Sequence, residues 1–162
     1  MKQDNLTADQ VLDKMAKYCA YQERCTSDVK TKLRDFDLPA NIKEDILNYL
    51  IDNKFVDDRR FAAAYVRGKI NQNGWGVNKI RFNLIKKDID SEIINEVLSS
   101  LNEDDYKTRL THILKNKKIK AQNEFQAKQK LAAYAIQKGF ESNVAWEVIN
   151  SMKIEFCNEE KD

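Results

Sequence analysis

This sequence predicts an all-α protein: three tandem three-helix repeats, about nine helices, stacked as an elongated, curved solenoid. Three observations carry the prediction. Apolar residues keep helical spacing, the pattern recurs every 51 residues, and one proline with four glycines in 162 residues leaves little room for a turn-rich β fold. The series Val29, Leu33, Leu38, Ile42, Ile46 and Leu50 becomes Ile80, Leu84, Ile89, Ile93, Val97 and Leu101 on adding 51. Adding 51 again gives Leu131, Ala135, Phe140, Val144, Val148 and Met152. All eighteen positions are apolar in a chain that is 42% hydrophobic, so chance would leave about half of them polar. Helical periodicity explains the spacing within each series but not the phase held across three. The copies fall at 1–54, 55–102 and 103–162 (the last with a short C-terminal tail), and neighbouring copies of this kind bury their faces by stacking.

Each copy opens with a helix. In the first it covers about Ala8–Tyr21, with Val11, Leu12, Met15 and Cys19 on one face. In the second it is Asp58–Ile70, where Phe61, Ala64, Tyr65 and Gly68 share a face, and in the third about Glu103–Lys118, with Leu110, Ile113 and Leu114. The second helix of each copy ends before Leu38, Ile89 or Phe140. The residue just ahead is Asp37, Asp88 or Gly139, and each is expected to take the left-handed conformation that closes a helix. Helix starts are marked by Thr26-Ser27-Asp28, Asn41 with Glu44, Ser91 after Asp90, and Asn102 with Asp105.

A chain that is 42% hydrophobic and 33% charged is a globular type rather than a disordered one. Its net charge of +2 hides strong segregation. Residues 59–87 hold eight Lys/Arg and no acid, 88–106 hold seven acids and no base, and 107–130 hold eight bases and one acid. Blocks of this size make separate positive and negative surfaces. Cys19, Cys25 and Cys157 are odd in number and match no metal-ligand spacing, which suits a reduced, cytoplasmic setting. Residues 1–9 lack the apolar stretch of a signal peptide, and no run approaches a membrane span. His112 is the only histidine, so no His-pair metal site can be assembled, and a surface or boundary position suits it. Gly74-Trp75-Gly76 lacks the spacing of a phosphate-binding loop. Asp57-Asp58 and Asp104-Asp105 sit where helix dipoles favour acids. The reading is a non-enzymatic protein with no cofactor and no metal.

Candidate binding residues lie in the basic blocks. Arg59, Arg60, Arg67 and Lys69 come from the first helix of the middle copy, and Lys79, Arg81, Lys86 and Lys87 from its second, with Trp75 between them. Lys115, Lys117 and Lys118 extend the set into the third copy. Lys and Arg attract phosphate backbones without sequence preference, and Arg with Trp are also the usual anchors on acidic protein surfaces. Trp75 fits either a stacking or anchoring role, or a plug between helices. A charge run can also be no more than a solvated face.

Phe55-Val56-Asp57-Asp58-Arg59-Arg60-Phe61-Ala62-Ala63-Ala64-Tyr65-Val66, then Gly74-Trp75-Gly76 and Lys79-Ile80-Arg81-Phe82-Asn83-Leu84, resemble the bacterial RecX regulatory-protein family. Cys25-Thr26-Ser27-Asp28-Val29-Lys30-Thr31-Lys32-Leu33 is similar to that family's first-unit helix, and the likeness is strongest over about 18–101. The resemblance implies three-helix repeats and a modulator of the RecA recombinase. Such a protein binds along the groove of the RecA–DNA filament and dampens ATP hydrolysis and strand exchange; a monomer in the cytoplasm is the expected state. Single-stranded or duplex DNA would be touched directly or only through RecA. Two other classes remain: a stand-alone DNA-binding protein built from helix-turn-helix-like units, and a helical scaffold for an unrelated protein. A recognition helix opening on base-reading Asn, Gln or Arg is not evident.

Overall fold

The structure, a computed structural model, describes residues 5–159. Among them are nine α-helices: α1 Ala8–Tyr21, α2 Thr26–Leu33, α3 Ala40–Asp52, α4 Asp58–Asn71, α5 Val77–Lys86, α6 Ser91–Ser99, α7 Glu103–Asn116, α8 Glu124–Gln137 and α9 Ser142–Ser151. They fall into three consecutive sets of three, as the 51-residue period requires. Of the eighteen periodic positions twelve are buried, six are half-buried and none is exposed.

Local chemistry sets the helix starts. Thr7 and Gln10 form a reciprocal capping box at α1, with bonds of 3.2 and 2.9 Å. Asn102 accepts from the Asp105 amide at 2.9 Å and Asn123 from the Gln126 amide at 2.8 Å. Asp90, the residue before Ser91, accepts from the Glu92 amide. Two expected caps move. The α2 cap is Cys25, whose amide donates to Asp28 Oδ2, and α3 opens at Pro39 rather than Asn41. Proline presets φ for a helix entry, so the turn begins two residues earlier.

The helix closures repeat atom for atom in two copies. The Ile89 amide reaches Leu84 O while that of Asp88 reaches Ile85 O, and 51 residues on Phe140 reaches Ala135 O while Gly139 reaches Ile136 O. Asp88 has φ +57° and Gly139 +100°, as expected of left-handed closing residues. Asp37 does not follow. There α2 stops at Leu33, tightens through Asp35 N–H to Lys32 O and Phe36 N–H to Leu33 O, and buries Phe36 in place of Leu38. The α4 face also differs from expectation. Phe61, Ala62, Val66 and Ile70 are buried, whereas Ala64, Tyr65 and Gly68 are half-buried. In an alanine-rich helix the larger β-branched residues decide which side turns inward.

Contacts divide the described chain into two compact units, one running to Tyr65 with Leu84–Asn95 added, the other combining Val66–Asn83 with the chain from Glu96 onward. The first is built on Val11, Met15, Val29, Leu33, Phe36, Ile46 and Leu50. The second is built on Tyr106, Leu110, Leu114, Leu131, Ala135, Phe140, Val148 and Ile149. In the second unit the stretch after α7, β1 Lys120–Ala121, pairs in parallel with β2 Cys157–Asn158. This two-residue ladder, which the sequence does not announce, ties the segment after α9 to the loop before α8.

Candidate partner and nucleic-acid interface

Each compact unit contains one seam between successive copies, built from positions 51 residues apart but of different chemistry. In the first unit the opening amide of α2, Thr26 N–H, donates to Asp58 Oδ1 at 2.8 Å. Cys25 Sγ lies 4.0 Å from Lys87 O, and Lys87 Nζ pairs with Asp28 at 3.1 Å. Burial opposes both charges of that pair. The bonds Asp28 accepts from Lys87 and from Cys25 still hold its carboxyl below the usual range, and Asp28 in turn raises the Lys87 ammonium above its own. Burial pushes the Cys25 thiol up to about 11, so it stays protonated and unreactive.

In the second unit the opening amide of α5, Val77 N–H, donates to Tyr106 Oη at 3.1 Å, and that hydroxyl donates to Glu141 at 2.6 Å. Gly76 N–H donates to Lys138 O and Asn78 N–H to Gly139 O, both at 2.9 Å. Here the main chains touch. A Cβ on Gly76 would lie 2.2 Å from Phe140 N, and one on Gly139 would lie 2.3 Å from Lys79 Cβ. Glycine is needed on both sides of this crossing.

Two of the candidate cations are seam or clasp residues. Lys87 belongs to the first seam, with its ammonium also 5.6 Å from the Phe61 ring centroid. Arg60 joins Glu23 at 2.7 Å and donates to Lys54 O and Phe55 O at 3.0 and 3.3 Å. Its planar fork thereby holds the loop before α2 and the loop before α4 together. Arg59 and Lys86, both exposed, belong to the same compact unit.

The second unit gathers the other candidates: Arg67, Lys69, Trp75, Lys79, Arg81, Lys115, Lys117 and Lys118. Trp75 is half-buried, with Lys69 Nζ 4.6 Å and Lys79 Nζ 4.5 Å from its ring centroid. Lys117 Nζ stands 4.5 Å and Lys138 Nζ 5.8 Å from the Tyr134 ring. Lys138 also donates to Asn73 O at 3.2 Å, which links the two groups through the Asn73–Trp75 backbone. The result is a ladder of ammonium groups set beside aromatic rings, where each contact adds an electrostatic attraction between cation and ring. Arg67, Lys115 and Lys118 are exposed, while Lys69 and Arg81 are half-buried. Lys107 is instead held by Glu103 and Glu147, at 2.8 and 3.0 Å. Tyr134 and Lys138 were not among the expected residues. Their place in the ladder depends on the fold of the third copy, which the local sequence does not report.

His112 is exposed and lies 3.1 Å from Asn116 Nδ2. Among the described residues no cluster of His, Cys, Asp and Glu is placed to hold a metal ion. No described helix is long and apolar enough to cross a membrane.

These features define a class: an all-helical protein of tandem three-helix repeats. Family models described as "RecX, second three-helix domain" and "RecX, third three-helix domain" match residues 57–98 and 114–149. The chain belongs to the RecX family. It is 33% identical over 144 residues to "Regulatory protein RecX" of Limosilactobacillus reuteri, across 85% of this chain and 54% of that protein. The chain thus spans about half the length of the curated relatives it matches. A solved structure, "Crystal structure of regulatory protein RecX", superposes with a TM-score of 0.74 at 26% identity, covering 93% of this chain and 83% of that one. A second, of RecX from Lactobacillus salivarius, gives a TM-score of 0.76 at 24% identity over 88% and 94% of the two chains, a likeness of fold.

Proposed function

We propose that this chain is a non-enzymatic regulator that docks on the RecA–DNA filament and dampens its ATPase and strand exchange. The observation that carries the reading is the ladder of Lys69, Lys79, Lys117 and Lys138 around Trp75 and Tyr134. It occurs in a chain whose matched relatives are regulatory proteins. A positive surface with its ammonium groups already placed suits phosphate backbones and acidic flanks alike. In this reading the three 51-residue copies are the units of contact along the filament, and the chain acts in the cytoplasm as a monomer.

The test is co-sedimentation with RecA alone, single-stranded DNA alone and the assembled filament, at two salt concentrations. In parallel, RecA ATPase is measured with the double variant Arg67→Glu/Lys118→Glu, both positions being exposed. Binding to the filament should weaken with salt, and the double variant should lose inhibition while keeping its helical circular dichroism. Full inhibition by that variant would remove the cationic face from the reading.

A second reading, direct binding of nucleic acid without RecA, is favoured by the same aromatic-held lysines. It predicts retention on bare DNA with little base preference, because the rings are engaged by ammonium groups.

A further inference from the structure

A second candidate surface lies in the first repeat, away from the ladder residues in sequence and chemistry. A trough of about 480 Å³ opens between α2 and α3. Its α2 side is the stripe Thr26, Lys30 and Arg34, spaced by four, with Leu33 beneath. Its α3 side is Lys43, Leu47 and Ile51, also spaced by four. Leu33 and Leu47 form a buried floor, and Ile51 is 37% exposed at the edge. Three cations and one acid, Glu44, line the trough, although residues 1–58 as a whole carry nine bases and twelve acids. Among the described residues Lys32 on α2 is paired with Asp35, but Lys30, Arg34 and Lys43 make no ion pair.

We propose that this trough docks an acidic polypeptide segment carrying apolar side chains at helical spacing. The stripes run eight residues, about 12 Å of helix, which matches roughly two turns of a docked helix. The apolar floor takes the ligand's leucine-like side chains, and the flanking cations take its carboxylates. A nucleic-acid strand would leave the apolar lining of Leu33, Leu47 and Ile51 unfilled. This proposal stands apart from the RecA reading, because it uses neither the ladder nor a filament.

The probe is a fluorescein-labelled peptide of about fourteen Glu, Asp and Ala residues with leucines at i, i+3 and i+7. Its binding to the full chain is followed by anisotropy. Saturable binding is expected, weakened about tenfold or more by Lys30→Glu/Lys43→Glu and severalfold by Ile51→Ser. Arg67→Glu/Lys118→Glu should leave it unchanged. Circular dichroism establishes that each variant folds. Equal binding of a peptide with serines in place of the leucines would reduce the effect to general electrostatics and overturn the proposal. So would indifference to the trough variants, or a labelled single-stranded oligonucleotide losing its own binding in Lys30→Glu/Lys43→Glu. Self-association in sedimentation velocity that Ile51→Ser abolishes would assign the trough to a second copy of the chain instead.

Discussion

Replacing Gly76 with alanine tests the glycine crossing directly. The added methyl would stand 2.2 Å from Phe140 N, 2.3 Å from Gly139 C and 2.4 Å from Gly139 O. All three are main-chain atoms, so no side chain can swing away. The loop before α5 must move off the α8–α9 junction, lengthening the bonds from Gly76 N–H to Lys138 O and from Asn78 N–H to Gly139 O, each now 2.9 Å. Overpacking of this kind costs about 1–3 kcal/mol. Two weakened hydrogen bonds add about 1 kcal/mol each. A total near 3–5 kcal/mol is expected, a large share of the stability of an ordinary domain. Gly68→Ala is the control. Nothing lies within 4 Å of its Cβ site inside α4, so alanine should stabilise there by about 0.5–1 kcal/mol. Urea unfolding followed at the helical circular dichroism band measures both. If Gly76→Ala unfolds at the wild-type midpoint, the close approach of the two main chains is wrong.

Two further outcomes follow from the first compact unit. Arg60→Ala should cost about 1–2 kcal/mol, kept modest because the Arg60–Glu23 pair is 43% and 37% exposed, and Arg60→Lys should recover little of it. A lysine that restores full stability in urea unfolding would argue against a three-acceptor clasp. Asp28 titrates below its unfolded value, so its stabilisation is complete above the ordinary carboxylate range and lost as pH falls through its folded pKa. Lys87 titrates above its unfolded value, so its contribution is complete below the ordinary lysine range and lost as pH rises through its folded pKa. The stability gap between wild type and Asp28→Asn, measured by urea unfolding across pH, should therefore be widest near neutrality and shrink on both sides. A gap that does not change with pH would rule out the ion pair as its source.

What the sequence could tell depended on the range of the interaction. The first helix of each copy, and the closures at Asp88 and Gly139, follow from residues within a few positions of one another, and they stand where the periodicity put them. Asp37 shares that local signature. It failed because Phe36, outside the 51-residue series, supplied a larger apolar group two residues before Leu38. The α4 face was misjudged because Ala62, Ala63 and Ala64 give a helix with no sharp apolar stripe. The roles of Arg60 and Lys87 were not legible at all. Their acidic partners, Glu23 and Asp28, lie 37 and 59 residues away, so two cations counted as candidate contacts are engaged by the protein's own acids. Trp75 drew notice for its glycine neighbours, but the lysines that flank it reach the ring from α4 and α5.

The two seams occupy matching places in the period, and in both an opening helix amide meets a side-chain oxygen of the next copy, yet the rest differs: a thiol and an ion pair at one, close main chain against main chain at the other. Copies joined this way are not interchangeable. Placing the third copy behind the first would set Gly139 where Asp88 stands and Lys138 where Lys87 stands. The two joints therefore make different demands on substitution: the first keeps an Asp28–Lys87 pair, the second keeps glycine at 76 and 139.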